Sequence, residues 1–136
     1  METAEQLLAH VRDHAVFAGY DVSTEKGDAL SFATHPTQFK FAFRAYRGGV
    51  LFSAFFEAKE NASLGTTGFA EFVNELNFNA TVSRFYFQVE PKSLCAEFWF
   101  AGPYESGAFS RLFDAWRTEM SLCVERYKEA GQKFMK

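Results

Sequence analysis

The chain has 136 residues, the size of one domain with a single hydrophobic core. Its 14 Lys and Arg residues and 17 Asp and Glu residues give a net charge of -3, which argues against nucleic acid as the main ligand because a phosphate backbone needs a concentrated basic surface. No apolar run approaches the roughly 20 residues of a membrane span, and the first residues lack the pattern of a signal peptide, so we expect a single cytoplasmic domain over 1–136.

The chain opens with a predicted helix. Thr3 stands three residues before Gln6, which is the spacing of a capping box. The apolar stripe that follows at helical spacing consists of Leu7, Leu8, Val11 and Ala15. Gly19 predicts the end of this helix.

Three strands are predicted next. A short segment over 20–23 and a loop at 26–28 lead into them. Alternating apolar residues place the strands at 29–35, 39–47 and 50–58. Between the second and third strands, Gly48-Gly49 predicts the two-residue turn of a hairpin.

The second half of the chain predicts a central helix, another hairpin and a long closing helix. The apolar stripe of the central helix is Phe69, Phe72, Val73 and Leu76. After Ala80 the period becomes two, and strands are predicted on either side of a turn at Pro91-Lys92-Ser93. The closing helix, with Ser106 as its cap, has a stripe of Phe109, Leu112, Phe113, Trp116, Met120, Val124 and Tyr127.

The predicted order is therefore helix, three strands, helix, two strands, helix. Hairpin connections make the sheet mainly antiparallel, and helices packed on such a sheet give an α+β fold. Several strands are apolar on both sides, so either helices cover both sides or one side is buried against another subunit or a ligand.

Two short runs in this order resemble a known family. They are Val73-Asn74-Glu75-Leu76-Asn77 at the end of the central helix and Arg84-Phe85-Tyr86-Phe87 at the start of the next strand. In these runs the chain resembles the YbjN-like bacterial sensory-transduction regulators, which share the fold of class I type III secretion chaperones. The resemblance implies a small, non-enzymatic, dimeric protein that binds other proteins. For the secretion chaperones, the implied ligand is an extended segment of an effector protein.

The residues themselves predict no catalytic site, no metal site and no cofactor. His10 and His14 have a spacing that can hold a metal, but no third ligand lies nearby in sequence, and a solvated helix surface is the favoured interpretation. Cys95 and Cys123 are interpreted as buried free thiols. For Glu57, Glu90 and Glu97, the solvent side of a sheet is favoured over a pair of catalytic carboxylates.

Six residues are candidates for a partner-binding or dimer surface. Phe55 and Trp99 each lie on the side of a strand opposite its main apolar row, where a core position beneath a second helix layer is favoured over a partner-binding or dimer surface. For Arg84 and Tyr86, as for Lys40 and Arg44, a solvated sheet surface is favoured over binding of an acidic peptide or phosphate. For the remaining two candidates, Asn74 and Asn77, hydrogen bonding to backbone groups near the helix end is favoured over contact with a ligand.

Two classes of function fit these patterns. The first is a chaperone-like or regulatory dimer that captures another protein, an effector or a regulator, on apolar surface. The second is a small-molecule sensor or carrier with an aromatic-lined cavity between sheet and helices. An enclosed pocket with converging polar groups would favour the second class, and an apolar surface shared by two chains would favour the first.

Overall fold

The computed structural model describes residues 3–24, 30–60, 62, 65, 67–126 and 134, without the side chains of residues 67 and 123–126. In this part of the chain the elements are α1 (Ala4–Phe17), β1 (Asp21–Thr24), β2 (Ser31–Thr34), β3 (Phe41–Tyr46), β4 (Gly49–Glu57), α2 (Thr67–Asn79), β5 (Arg84–Gln88), β6 (Ser93–Phe100) and α3 (Ser106–Arg126). The strands form one sheet in the order β1-β2-β3-β4-β6-β5. The predicted α+β class, with its antiparallel sheet, is confirmed.

The structure adds one strand to the predicted order. β1 pairs antiparallel with β2, with Asp21 opposite Thr34 and Thr24 opposite Ser31. Its four residues are mostly polar and exposed, so no apolar alternation marks them as a strand. The loop predicted at 26–28 and the side chain of Cys123 lie outside the described residues.

Two compact units make up the chain, and each is built from two stretches of sequence. The first unit comprises Met1–Ala54 and Phe98–Leu112, and the second comprises Phe55–Glu97 and Phe113–Lys136. The chain therefore passes from one unit to the other within β4, within β6 and within α3. The single domain over 1–136 therefore stays a prediction from the sequence.

The core of the first unit is a cluster of phenylalanine rings. Phe52 is fully buried, and its ring is stacked on Phe98 at a centroid distance of 4.5 Å. Phe43 and Phe109 lie 6.0 Å from the same ring, so strands β3, β4 and β6 and helix α3 meet there. The other helix of this unit, α1, begins at the predicted capping box of Thr3 and buries Leu7, Val11 and Ala15.

Helix α2 supplies the centre of the second unit. Its Phe69 ring contacts Phe87 of β5 at 5.1 Å and Phe134 at 5.3 Å. Trp116 of α3 is fully buried, and its indole Nε1 donates a hydrogen bond to Ser83 Oγ at 2.7 Å. A buried aromatic nitrogen with its own partner combines apolar burial with hydrogen bonding.

Both the hairpin turn and the cap of α3 lie one residue before their predicted positions. Tyr46 pairs with Gly49, so the turn residues are Arg47 and Gly48, with φ values of 49° and 80°. At α3, the carboxylate of Glu105 accepts hydrogen bonds from the backbone nitrogens of Gly107 at 2.9 Å and Ala108 at 2.7 Å. A carboxylate suits this position because its negative charge also interacts favourably with the positive end of the helix dipole.

Candidate binding surface

In the second unit, β5 and β6 present a row of side chains away from α2. Phe87 packs against α2, so the residues that alternate with it point to the other side of the strand. The cross-strand pairs on that side, here called the outer side of the β5–β6 hairpin, are Arg84 with Glu97, Tyr86 with Cys95, and Gln88 with Ser93.

Glu97 is the buried polar centre of this outer side. It is only 5% exposed, and Arg84 Nε donates a hydrogen bond to Oε1 at 2.7 Å while the terminal guanidinium nitrogen also contacts Oε1. Tyr86 donates its hydroxyl hydrogen to Oε2 at 3.3 Å. The solvent-side interpretation of Glu97 is therefore wrong, because cross-strand neighbours cover the carboxylate and Arg84 forms an ion pair with it.

Cys95 and Tyr86 beside Glu97 are both held in their protonated forms. Burial raises the pKa of the Cys95 thiol. Burial also raises the pKa of Tyr86, and the neighbouring Cys95 and Glu97 raise it further. A protonated thiol and a protonated phenol are poor nucleophiles, so these residues do not assemble into an activated nucleophile.

Phe55, also in the second unit, is 50% exposed. It follows the strand alternation of β4, in which Phe52 and Ala54 are buried. The core position that the sequence favoured for Phe55 and Trp99 is therefore wrong, since both rings are half exposed. Tyr86 is exposed to a similar extent on the outer side of the β5–β6 hairpin.

Trp99 belongs to the first unit, where it is 49% exposed. Its indole Nε1 donates a hydrogen bond to the Tyr46 carbonyl oxygen at 2.8 Å. The ring covers Gly49 so closely that a Cβ atom on that residue would lie 2.7 Å from Nε1. Gly49 is therefore required by this close approach, while Gly48 serves the left-handed turn conformation.

Two arginines flank Tyr46 near this tryptophan. The guanidinium carbons of Arg44 and Arg47 lie 4.9 Å and 5.1 Å from the centroid of the Tyr46 ring. Arg44 was among the predicted anion-binding candidates, but Arg47 and Tyr46 were not.

Asn74 and Asn77, the two asparagines in the run that resembles the YbjN-like family, make different contacts. Asn77 bonds both backbone groups of Phe85, with Nδ2 donating to the carbonyl oxygen at 2.9 Å and Oδ1 accepting from the amide nitrogen at 2.8 Å. Asn74 is exposed on α2. Asn77 thus connects α2 to β5, and Asn74 remains available at the surface.

The two helix histidines contact Tyr104 and are not simply solvated. The ring of His10 is stacked on Tyr104 at 4.7 Å, and His14 Nδ1 lies 3.3 Å from the Tyr104 hydroxyl. His14 also meets the edge of Phe109 at 4.9 Å. Across the described residues, no group of three or more His, Cys, Asp or Glu side chains is arranged to hold a metal ion.

A cleft of about 330 Å³ lies between α2 and α3 in the second unit. Apolar side chains from both helices line it, together with Phe85 and the carboxylate of Glu119. Glu119 already accepts hydrogen bonds from the backbone nitrogens of Thr81 at 2.6 Å, Val82 at 3.2 Å and Ser83 at 2.7 Å. Sequence gave no sign of this contact, since Glu119 is 36 residues or more from its partners.

No protein-family model matches the sequence, and no curated protein matches it either. Among solved structures, the crystal structure of YbjN from E. coli, a proposed transcription regulator, matches with a TM-score of 0.72 over 95% of both chains at 12% sequence identity. The chain has the YbjN-like fold.

This likeness confirms the fold that the resemblance in α2 and β5 implied. At 12% identity the two chains share an architecture, and the YbjN-like fold by itself assigns no residue a role. In the described part of the chain, no helix has both the length and the apolar character needed to cross a membrane.

Proposed function

We propose that this YbjN-like chain is a non-enzymatic regulatory module of the bacterial cytoplasm that acts as a homodimer and captures a segment of another protein on apolar surface. The observation that carries the proposal is the half-exposed state of Phe55 in the second unit and of Trp99 in the first. Both belong to strands, so their rings are held by regular backbone pairing.

Exposed aromatic rings on strands suit protein recognition. A tryptophan or phenylalanine ring removes a large apolar area from water on binding, and a ring that is already held in place loses little conformational entropy. Aromatic residues accordingly dominate the energetic centres of protein interfaces. Trp99 has this property, because its hydrogen bond to Tyr46 and its contact with Gly49 fix the indole before any partner arrives.

The description of E. coli YbjN as a proposed transcription regulator agrees with a regulatory role. For the present chain we favour regulation through protein contacts over direct DNA binding. Its net charge of -3 opposes association with a phosphate backbone, and its arginine at β5 is already paired with Glu97.

A small-molecule carrier is the second candidate, and the cleft between α2 and α3 is its best support. The cleft is at the small end of the roughly 300–1,000 Å³ usual for ligand pockets. Its carboxylate, Glu119, is bonded to the backbone of Thr81, Val82 and Ser83, so it is not a free polar group aimed at a ligand. The exposed aromatic rings therefore support protein binding more strongly.

Light scattering coupled to size exclusion tests the dimer directly. We expect the wild-type protein to have twice the monomer mass of 15.5 kDa, and Phe55→Glu to dissociate towards that mass. Phe78→Glu is the matched control, because it makes the same change at another exposed phenylalanine of the second unit. A wild-type mass of 15.5 kDa at every concentration would contradict the homodimer.

Partner capture needs a separate experiment. Affinity purification from the native host with the wild-type protein as bait, followed by mass spectrometry, should recover a protein that Trp99→Glu fails to retain. Val16→Glu, an exposed apolar position on α1, is the control for a change of charge in the same unit. Circular dichroism must show that both variants are folded. Equal recovery by wild-type and Trp99→Glu would place partner binding elsewhere.

A further inference from the structure

We propose that the tip of the β3–β4 hairpin binds an acidic segment of the partner protein, through the guanidinium groups of Arg44 and Arg47 beside Tyr46 and Trp99. This inference rests on the protein-binding function proposed above and adds the charge of the partner to it. Three observations in the first unit carry it.

The first observation is that neither arginine has an acidic partner among the described residues. Their guanidinium groups lie against the Tyr46 ring, and the ion pairs formed by the described residues include neither Arg44 nor Arg47. Both residues are exposed. The contrast is Arg84, whose guanidinium is bonded to the buried Glu97. Arg44 and Arg47 therefore present two positive charges that the described fold leaves open to an incoming carboxylate.

The second observation concerns the backbone of the turn. Arg47 has a φ of 49°, in the left-handed region that glycine, asparagine and aspartate adopt more readily. A hairpin of this type gains nothing from an arginine at that position, since glycine fits the conformation without steric cost. The guanidinium at the tip is thus not explained by the needs of the turn.

The third observation is the position of Trp99 on the same side of the sheet. Tyr46 and Gly49 are a cross-strand pair, so their side-chain directions share one side. The Trp99 indole occupies the space beyond the Cα atom of Gly49 and donates to the Tyr46 carbonyl oxygen. An exposed apolar ring therefore lies on the same side of the hairpin as the Tyr46 ring, against which both guanidinium groups lie.

The chemistry of the partner follows from the two guanidinium groups and the aromatic rings that this surface presents. Charge-assisted hydrogen bonds from a guanidinium to a carboxylate are strong and directional, and a neighbouring aromatic ring adds apolar contact. A peptide with carboxylates next to an apolar side chain matches both features. A long nucleic acid matches them less well, because two guanidinium groups are too small a basic surface for an extended phosphate backbone.

A fluorescence titration tests the inference with defined peptides. Trp116 is fully buried while Trp99 is half exposed, so acrylamide quenching of the folded protein reports on Trp99. A peptide of repeated Glu-Glu-Phe triplets should shield Trp99 from acrylamide, and the matching Gln-Gln-Phe peptide should bind more weakly. Arg44→Gln and Arg47→Gly should each weaken binding of the acidic peptide roughly tenfold, the size expected for one charged contact.

Arg111→Gln is the control, because it removes an exposed arginine from α3 in the same unit and should leave the affinity within about twofold. Equal affinities for Arg47→Gly and Arg111→Gln would overturn the inference, and so would failure of the acidic peptide to shield Trp99. Equal binding of a thymidine oligonucleotide would also overturn it, by showing a general polyanion site. If the glutamine peptide binds as well as the acidic one, the charge preference fails while protein binding remains supported.

Discussion

Asn77 completes the hydrogen bonding of Phe85 with a single side chain. Its amide nitrogen donates to the Phe85 carbonyl oxygen at 2.9 Å, and its amide oxygen accepts from the Phe85 nitrogen at 2.8 Å. In the sheet formed by the described residues β5 is an edge strand, so one row of its backbone groups has no strand beside it there. The asparagine satisfies part of that row as a neighbouring strand would, and it holds the end of α2 against β5.

Asn77→Ala should therefore destabilise the protein by about 1–3 kcal/mol, because it leaves two backbone groups without their partner. Asn74→Ala should change the free energy of unfolding by no more than about 0.5 kcal/mol. The two substitutions replace the same residue type in the same helix, so helix propensity cancels in the comparison. Urea unfolding measures both, and equal effects would show that the contact with Phe85 contributes no stability.

Trp116 is the second position for stability measurements. Trp116→Ala should cost about 3–5 kcal/mol, since it removes a large, fully buried ring. Trp116→Phe keeps most of the ring and removes the hydrogen bond to Ser83, so a smaller loss of about 1–2 kcal/mol is expected. A loss below about 1 kcal/mol for the alanine variant in urea unfolding would contradict the burial of this side chain.

The cap of α3 predicts a dependence of stability on pH. Hydrogen bonds from the Ala108 and Gly107 nitrogens hold the pKa of Glu105 below its ordinary value of 4.5. The Glu105 carboxylate therefore has a lower pKa in the folded protein than in the unfolded chain. Its ionised form stabilises the folded state fully at pH values above the unfolded pKa, and this stabilisation is lost as the pH falls through the folded pKa.

Replacing the Glu105 carboxylate should therefore flatten the acid side of the stability profile. Glu105→Gln should lower the urea midpoint near pH 7 and approach the wild-type midpoint as the pH falls below about 4. Glu71→Gln, which removes an exposed carboxylate from α2, is the control. A constant difference between Glu105→Gln and wild type over this range would argue against the ionised cap.

Cys95 should be unreactive in the folded protein. The thiol is fully buried and burial raises its pKa, so the thiolate that attacks a disulfide reagent is scarce and inaccessible. In a Cys123→Ser background, Cys95 should react only as fast as the structure opens, and rapidly in urea. Ser23→Cys, at an exposed position of β1, provides the reactive control. Rapid modification of native Cys95 would show that the outer side of β6 is open.

Sequence patterns predicted the elements well where apolar residues recur. The helix stripe of Phe69 and Leu76 and the strand alternation around Phe52 depend on burial against one side, which a period of 3.6 or two records directly. The same alternation identified Phe55 and Trp99 as residues outside the main apolar rows. β1 was missed because its polar residues are held by pairing with β2, a contact that leaves no apolar pattern.

The contacts of the site were harder to predict, because they join residues that are distant in sequence. Burial of Glu97 depends on Arg84, and neither residue alone indicates that a carboxylate lies inside. The hairpin turn lies one residue before its predicted position. Two adjacent glycines leave the turn ambiguous in the sequence, whereas the structure packs Gly49 closely against Trp99 and the Phe100 carbonyl oxygen. Local sequence indicates the conformational preference of a segment, whereas the burial of Glu97 and the position of the hairpin turn depend on contacts with residues distant in sequence.

The interleaving of the two units along the chain has a consequence for synthesis. When a ribosome has released residues up to Glu97, neither unit is complete, because the first still lacks Phe98–Leu112 and the second still lacks Phe113–Lys136. The nascent chain therefore holds strands β1 to β5 without the last helix that finishes both cores. Domains are generally made in order from the N-terminus, and this chain has no early half that can fold and wait for the rest. The buried phenylalanines of the two cores, such as Phe52 and Phe69, therefore cannot complete their packing before α3 has been made.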